Sequence, residues 1–548
     1  MDGPADTTEH PAATERRRIR AATILFSAAT ALSRVAGLLR EIVTSAIIGA
    51  TSSYSAFVVA NQIPNLLRSL VADSALSGAF VPVFSDLREN GEQERAWRVA
   101  GAVCGILIAV LGPLTVIAMI AAPWIVEPFV TTFSAPDKEL TVGLTRLLLP
   151  IVLILALSGV VVGILNTHDR FGAAALAPVA WNAVILISLV IAYVEFDTGD
   201  TARIWLLAIG TLVGTVVQAV LPVPWLRGLG GHLSLRVTWR DPRVREIFVL
   251  MLPITISLGL INVQQFIGTL LAASVDASDL VAGLEAGAGP ALLDKAFRIY
   301  MLPQGIFSVA VSTVVFPVLA RMQARGDTRG FAETVDGGLR QILMLLVPSS
   351  VFVGVFAEPI TRVLYQRGQF DAAQTDGVAL ALVAFSIGLT FNGLSLLLVR
   401  SLFSLRAVWL PGIVSAATLV VNLIALLALR EEYGVFGIAL ATSIANLVGV
   451  VLLYAMLRSR TDPLGTRRTV VVGLGTLLAA VVAIGIAWLA WLGWTELLGT
   501  SFLAALGGLA AALAVAAPIY LALGAQLGVV RRGLLRSLRR RGTSEETP

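Results

Sequence analysis

Stretches of about 20 consecutive apolar residues recur from Ala21 to Val530, about fourteen of them, and this recurrence limits the fold more than any other feature. One such stretch is long enough to cross the roughly 30 Å of hydrocarbon in a bilayer as an α-helix. Water is absent there, so every backbone N–H and C=O must be paired inside a helix or a closed barrel. Runs this long lack the roughly 10-residue alternation of barrel strands, so the predicted class is an all-α polytopic membrane protein. The composition agrees, with 57% hydrophobic and only 14% charged residues, against about 25% charged in soluble domains. The one cysteine, Cys104, excludes an intrachain disulfide, and His10, His168 and His232 are too scattered for a zinc-type cluster. No metal and no cofactor are expected.

Charges between the spans set the orientation. One set of connections carries Arg88, Arg95 and Arg98, then Arg227, Arg236, Arg240, Arg243 and Arg245, then Arg321, Arg325 and Arg329, then Arg458, Arg460, Arg467 and Arg468. By the positive-inside rule these face the cytoplasm. The alternate connections, at 49–53, 195–200 and 276–285, are neutral or acidic and face outward. Both termini are basic, at 16–20 and 531–541, which places them on the cytoplasmic side and requires an even number of crossings. Residues 1–20 read as a disordered cytoplasmic arm rather than a cleaved signal, because they contain no apolar core. The basic balance reflects topology and attraction to anionic membrane lipids, not nucleic acid.

The two halves echo each other at an offset of about 235 residues. Phe80-Val81-Pro82-Val83 parallels Val315-Phe316-Pro317-Val318, Pro82 and Pro113 share the spacing of Pro317 and Pro348, and Leu212-Val213-Gly214 parallels Leu447-Val448-Gly449. An even number of spans per half gives repeats in parallel orientation. The expected organisation is an N-lobe over 21–228 (spans one to six) and a C-lobe over 229–460 (spans seven to twelve), with a site between the lobes. Two further spans lie in 461–530, and 531–548 forms a basic cytoplasmic tail.

Four arginines, Arg34, Arg40, Arg68 and Arg298, lie inside or at the edges of these apolar spans. Each costs roughly 2.5 to 3.5 kcal/mol at mid-membrane and so requires a wet cavity, a carboxylate or an anionic ligand. On a helix, Ser33, Gly37, Arg40 and Glu41 share one small, polar face, and Arg34 lies close in azimuth to Glu41. Arg34 and Arg40 then flank one cavity-facing stripe, with Gly37 leaving room between them. Bland readings stand beside the functional ones. Arg40 and Glu41 also fit a helix-end ion pair, Arg68 and Asp73 a structural pair, and Arg298 with Asp294 an intrahelical bridge. Asn65 after Pro64 and Asn166 before Thr167 fit helix breaks as well as ligand contacts.

Ser33-Arg34-Val35-Ala36-Gly37-Leu38-Leu39-Arg40-Glu41, Pro64-Asn65-Leu66-Leu67-Arg68 and Gly78-Ala79-Phe80-Val81-Pro82-Val83-Phe84 together resemble the MurJ (MviN) family of lipid II flippases. The resemblance continues through Gly163 to Thr167, Arg170-Phe171, Arg298, Pro303, Gly305 and Pro317. It implies the fold of the multidrug/oligosaccharidyl-lipid/polysaccharide exporter superfamily. The implied task is moving an undecaprenyl-diphosphate-linked peptidoglycan precursor, lipid II, from the inner to the outer leaflet of the bacterial cytoplasmic membrane by alternating access. Substrate contacts then fall to Arg34, Arg40, Arg68, Arg298, Ser33, Asn65 and Asn166, and gating or structural roles to Gly37, Glu41, Asp73, Pro82 and Pro317. Lipid II, membrane lipids and cell-wall synthesis proteins are the implied partners. Ser55 and Phe297 stand where many relatives carry acids, so coupling built on those acids is not carried over.

Guanidinium groups suit the multi-oxygen diphosphate and carboxylates of such a substrate. A drug or cation exporter of the MATE type would instead present buried carboxylates. A flippase for another polyprenyl-diphosphate-linked oligosaccharide differs only in the family motif, and a scaffold in a cell-wall complex shares the whole pattern. A membrane-embedded transferase would need an acid cluster or metal ligands, so a transporter rather than an enzyme is expected. No acid occurs between Asp376 and Glu431, which makes the membrane potential the simplest expected driving force.

Overall fold

The computed structural model describes residues 11–71, 74–195, 199–407 and 409–528, and no strand occurs among them. The helices in chain order are α1 (Pro11–Ile48), α2 (Ser52–Val71), α3 (Ser74–Glu89), α4 (Gln93–Val126), α5 (Ala135–Leu148), α6 (Ile151–Thr167), α7 (Phe171–Glu195) and α8 (Asp200–Val220). They continue with α9 (Pro242–Ala272), α10 (Gly289–Arg325), α11 (Thr328–Val355), α12 (Ala357–Tyr365), α13 (Ala372–Ser404), α14 (Trp409–Arg458), α15 (Thr466–Leu498) and α16 (Phe502–Gln526). Ten helical segments among the described residues are long and apolar enough to cross a membrane, and α14 is broken at Gly434, whose φ of 50° and ψ of −129° suit glycine alone. Prolines Pro64 and Pro82 lie inside the short α2 and α3.

The chain divides into two compact units. The first comprises the described residues of Met1–Ile48, Ala60–Glu127 and Glu139–Ile256, and the second those of Gly49–Val59, Pro128–Lys138 and Ser257–Pro548. Two expected boundaries therefore move. Helix α1 already begins at Pro11, so half of the stretch read as a disordered arm is helical, while residues 1–10 and 529–548 lie outside the described residues. The first unit also continues past residue 228.

The reason for that continuation lies on α4. An extended segment over 231–240 crosses this helix at Gly101 and Gly105, where a Cβ would stand 2.1 Å from the Ser234 carbonyl oxygen and 2.4 Å from that of Arg236. The close crossing carries the chain back into the first unit, and Val244, Ile247 and Met251 of α9 bury themselves in its core beside Phe80, Phe84, Trp97 and Ile164. In lipid, helix association depends on close van der Waals packing rather than on a hydrophobic drive, which gives small residues at crossings their value.

In the second unit, Leu319, Phe331, Leu339, Leu346, Leu397 and Leu457 form a core among α10, α11, α13 and α14. Alanines 480, 487, 505, 512 and 516 bring α15 and α16 together, and Trp491 meets Phe356 edge-on at 6.0 Å. The Tyr520 hydroxyl donates to the Met344 carbonyl at 2.7 Å and ties α16 to α11. Gly214 and Gly449, one repeat apart, both lie at tight crossings: a Cβ would reach Trp181 Cδ1 at 3.0 Å in α8 and Thr418 Cγ2 at 3.0 Å in α14.

Gly105→Val forces the 231–240 segment off α4 and should destabilise the detergent-purified protein by about 1–3 kcal/mol. Gly112→Ala, on the same helix with nothing within 4 Å of the added carbon, should leave the thermal midpoint equal or higher. Equal midpoints for wild type and Gly105→Val would refute the crossing as a packing determinant.

Candidate functional site

In the first unit, the polar face of α1 divides in two. Arg34 is exposed and Ser33 half-buried, whereas Arg40 and Glu41 are 9% and 6% exposed. Arg40 Nη2 donates to Glu41 Oε1 at 2.6 Å, and its guanidinium lies 4.6 Å from the ring centre of Trp181 on α7. Gly37 faces the same helix, its Cβ position 3.8 Å from Asn182 Oδ1. The expectation of one stripe flanked by Arg34 and Arg40 is therefore corrected. Six residues advance the helix by about 240°, so the two arginines point to different surroundings. Arg40 is neutralised by its neighbouring carboxylate and held on an aromatic face, which compensates the cost of its burial.

Arg68 is half-buried in the last turn of α2, where a cation complements the helix dipole. Asp73 lies outside the described residues. Asn65 is half-buried one residue beyond Pro64, and Pro82 and Pro317 are exposed within α3 and α10. Asn166 is half-buried in the final turn of α6, and its carbonyl accepts the Asp169 N–H at 3.3 Å. The Thr167 hydroxyl donates to the Ile164 carbonyl at 2.7 Å, and His168 Nδ1 lies 2.8 Å from the same oxygen. This end of α6 is thus a capped terminus with the Asn166 side chain at its edge.

The second unit holds Arg298. Its Nε donates to Asp294 Oδ2 at 2.9 Å, with side-chain exposures of 36% and 15%. The Tyr54 hydroxyl donates to the same carboxylate oxygen at 3.3 Å, and the neighbouring Lys295, fully buried, places Nζ 4.5 Å from the Tyr54 ring centre and 5.5 Å from that of Tyr365. Ser55 is buried and accepts the Ala291 N–H at 3.1 Å. Phe297 stacks on Tyr300 at 5.5 Å.

The start of α2 is tied down within the second unit. The Ser52 N–H donates to Glu285 Oε2 at 2.5 Å, its hydroxyl to Asp137 Oδ2 at 3.0 Å, and the Ala50 N–H to Gln374 Oε1 at 2.8 Å. Two carboxylates at a helix N-terminus match both its dipole and its unpaired amides.

Sequence reasoning passed over two buried cations. Lys295, one of only two lysines, was legible as a charge in an apolar helix. Arg203, 9% exposed at the start of α8, donates to the Ile47 carbonyl at 3.2 Å and faces Asp200 at 3.8 Å, fixing the end of α1. Its position beside the acidic 195–200 connection concealed it. Of the four predicted arginines, Arg34, Arg40 and Arg68 belong to the first unit and Arg298 to the second. Arg40 is buried against Glu41, whereas Arg34 is exposed, Arg68 is half-buried and the Arg298 side chain is 36% exposed.

Comparison with known proteins follows this pattern. The chain is 29% identical over 469 residues to the "Probable lipid II flippase MurJ" of Vibrio cholerae, covering 83% of this chain and 86% of that protein. It is 30% identical over 519 residues to the protein of the same description from Rhizobium meliloti, covering 93% and 95%. Among solved structures, the chain overlays "Lipid II flippase MurJ, inward closed conformation" with a TM-score of 0.75 at 22% identity, covering 92% of this chain and 99% of that one. An inward-facing multidrug resistance MATE family transporter of the MOP superfamily gives 0.65 at 16% identity, covering 80% and 97%. The family described as "Lipid II flippase MurJ" matches residues 44–507, and the chain belongs to the MurJ family.

Proposed function

We propose that this protein is a lipid II flippase. It carries the undecaprenyl-diphosphate-linked peptidoglycan precursor from the inner to the outer leaflet of the cytoplasmic membrane by alternating access, with both termini cytoplasmic. The match of the family over residues 44–507 carries this reading, and the arginines within apolar helices supply its chemistry. A diphosphate takes planar, multi-donor guanidinium contacts, whereas cationic drugs of the MATE type call for carboxylates. Transport needs no covalent step, so the work falls to binding and to a change of access.

Arg34, Arg68 and Arg298 are the residues assigned to the substrate's oxyanions, with Ser33, Asn65 and Asn166 as polar neighbours. Arg40 holds α1 on α7 and acts on transport through that helix. The ties at the start of α2, through Asp137, Glu285 and Gln374, anchor that helix end within the second unit. Cell-wall synthesis proteins are the proposed partners.

Arg34→Ala should insert normally and lose flipping by roughly 10- to 100-fold, the worth of a charge-assisted hydrogen bond. Arg34→Lys should also be impaired, because an ammonium lacks the planar fork. Growth of a depletion strain supported by membrane-inserted Arg34→Ala would contradict the assignment.

Arg298 and Asp294 form an ion pair, so the pair itself must be tested. A purely structural pair predicts that the double alanine variant is milder than either single one, since no charge is left alone. The expected result is an inactive double variant in a cell-based flipping assay, and recovered transport would reassign Arg298 to structure.

The energy source is tested by separating two gradients. An outward-moving anion gains about 2.3 kcal/mol per charge per 100 mV from an inside-negative potential. Dissipating the potential should stop flipping in intact cells, while sodium-free medium at constant potential should not. A strong loss in the second condition would reveal an ion site made from carbonyls and hydroxyls.

A further inference from the structure

Between α14 and α15, within the second unit, the chain reverses through residues 459–465. Arg458 closes the first helix, Arg467 and Arg468 open the second, and with Gly465, Thr466 and Val471 they line one cavity of about 690 Å³. Among the described residues none of these three guanidinium groups is paired with a carboxylate. Asp462 accepts from the Thr328 hydroxyl at 2.6 Å, and Asp336 stands beside the cavity and accepts from the Gly465 N–H. The three side chains are exposed, and a bound anion gathers them by lowering the repulsion that water only partly screens.

The backbone adds donors to the same place. No side chain caps α15 at Gly465; the Thr466 N–H bonds the Leu464 carbonyl at 2.8 Å and the Thr469 N–H the Gly465 carbonyl at 3.0 Å. Arg467 and Arg468 line the cavity from the first turn, where backbone N–H groups have no intrahelical partner. A separate observation specifies what kind of anion fits. Val471, Leu474 and Leu478, on one face of α15 leading away from the arginines, are 59%, 62% and 57% exposed. A cationic cavity continuous with an apolar helix face matches an amphiphile, with a phosphate at one end and an acyl chain along the helix.

We propose that Arg458, Arg467 and Arg468 form a binding site for the phosphate of an anionic phospholipid, with its acyl chain along Val471, Leu474 and Leu478. This assignment does not rest on the transport reading. It concerns a lipid of the surrounding membrane and is tested by lipid occupancy alone.

The test uses the full chain reconstituted in vesicles of phosphatidylcholine doped with photoactivatable phosphatidylglycerol, followed by mass-spectrometric mapping of the crosslinked peptides. The expected result is labelling of the 459–478 region, much stronger than with a photoactivatable phosphatidylcholine of the same chains. Labelling should fall about fivefold per arginine removed, and roughly a hundredfold in Arg458→Gln/Arg467→Gln/Arg468→Gln. Excess inorganic phosphate should not compete. Full competition would make a free phosphate ion the ligand and overturn the lipid assignment.

A second variant separates the cavity from the general orienting effect of basic loops. Arg467→Gln/Arg468→Gln combined with Ser459→Arg/Thr461→Arg keeps the loop's charge while emptying the cavity of two guanidinium groups. It should insert with the native orientation and lose labelling. Retained labelling in this variant, or wild-type labelling in the triple variant, overturns the proposal. If the triple variant fails to fold, Arg458→Gln alone must still show the fivefold loss.

Discussion

A guanidinium inside hydrocarbon must be compensated on the spot, and this requirement shapes the protein more than any single hydrophobic contact. Hydrocarbon offers no water to shield charge, so each buried cation acquires an acid, a carbonyl or a ring. Arg40 has Glu41 and Trp181, Arg203 has the Ile47 carbonyl and Asp200, Arg298 has Asp294, and Lys295 lies against Tyr54 and Tyr365. Each solution joins different helices or stiffens one of them. The cations are thus part of how the helices hold their places.

Packing meets the same lack of a hydrophobic drive. Close approach must supply the attraction, and glycine and alanine allow it. The crossing of the 231–240 segment over Gly101 and Gly105 decides where the first unit ends, since it carries the start of α9 back to Phe80, Phe84 and Trp97. The alanines of α15 and α16 do the same for the last hairpin, which Tyr520 fastens to α11.

Exposure separates the cations. Arg40 is buried in its ion pair with Glu41, whereas Arg34, less than two turns away on the same helix, is exposed. The ion pair of Arg298 with Asp294 stands between these cases, because a half-exposed bridge both orders the side chain and leaves guanidinium surface open.

The sequence by itself determined the class of fold, the apolar helices and the residues that resemble the MurJ family. Hydrophobic length and backbone pairing in lipid are local properties, and a charge in an apolar run can be read without knowing its neighbours. Arg34 and Arg298 were legible for that reason. What surrounds each charge was not legible. That Arg40 lies on Trp181, that Ser55 accepts from Ala291, that Lys295 is enclosed by Tyr54 and Tyr365 and that α9 starts in the first unit's core all depend on contacts between residues far apart in the chain. Helical periodicity gives the face a side chain occupies but not the helix that face will meet, and only the tertiary structure decided which cations were spent on packing.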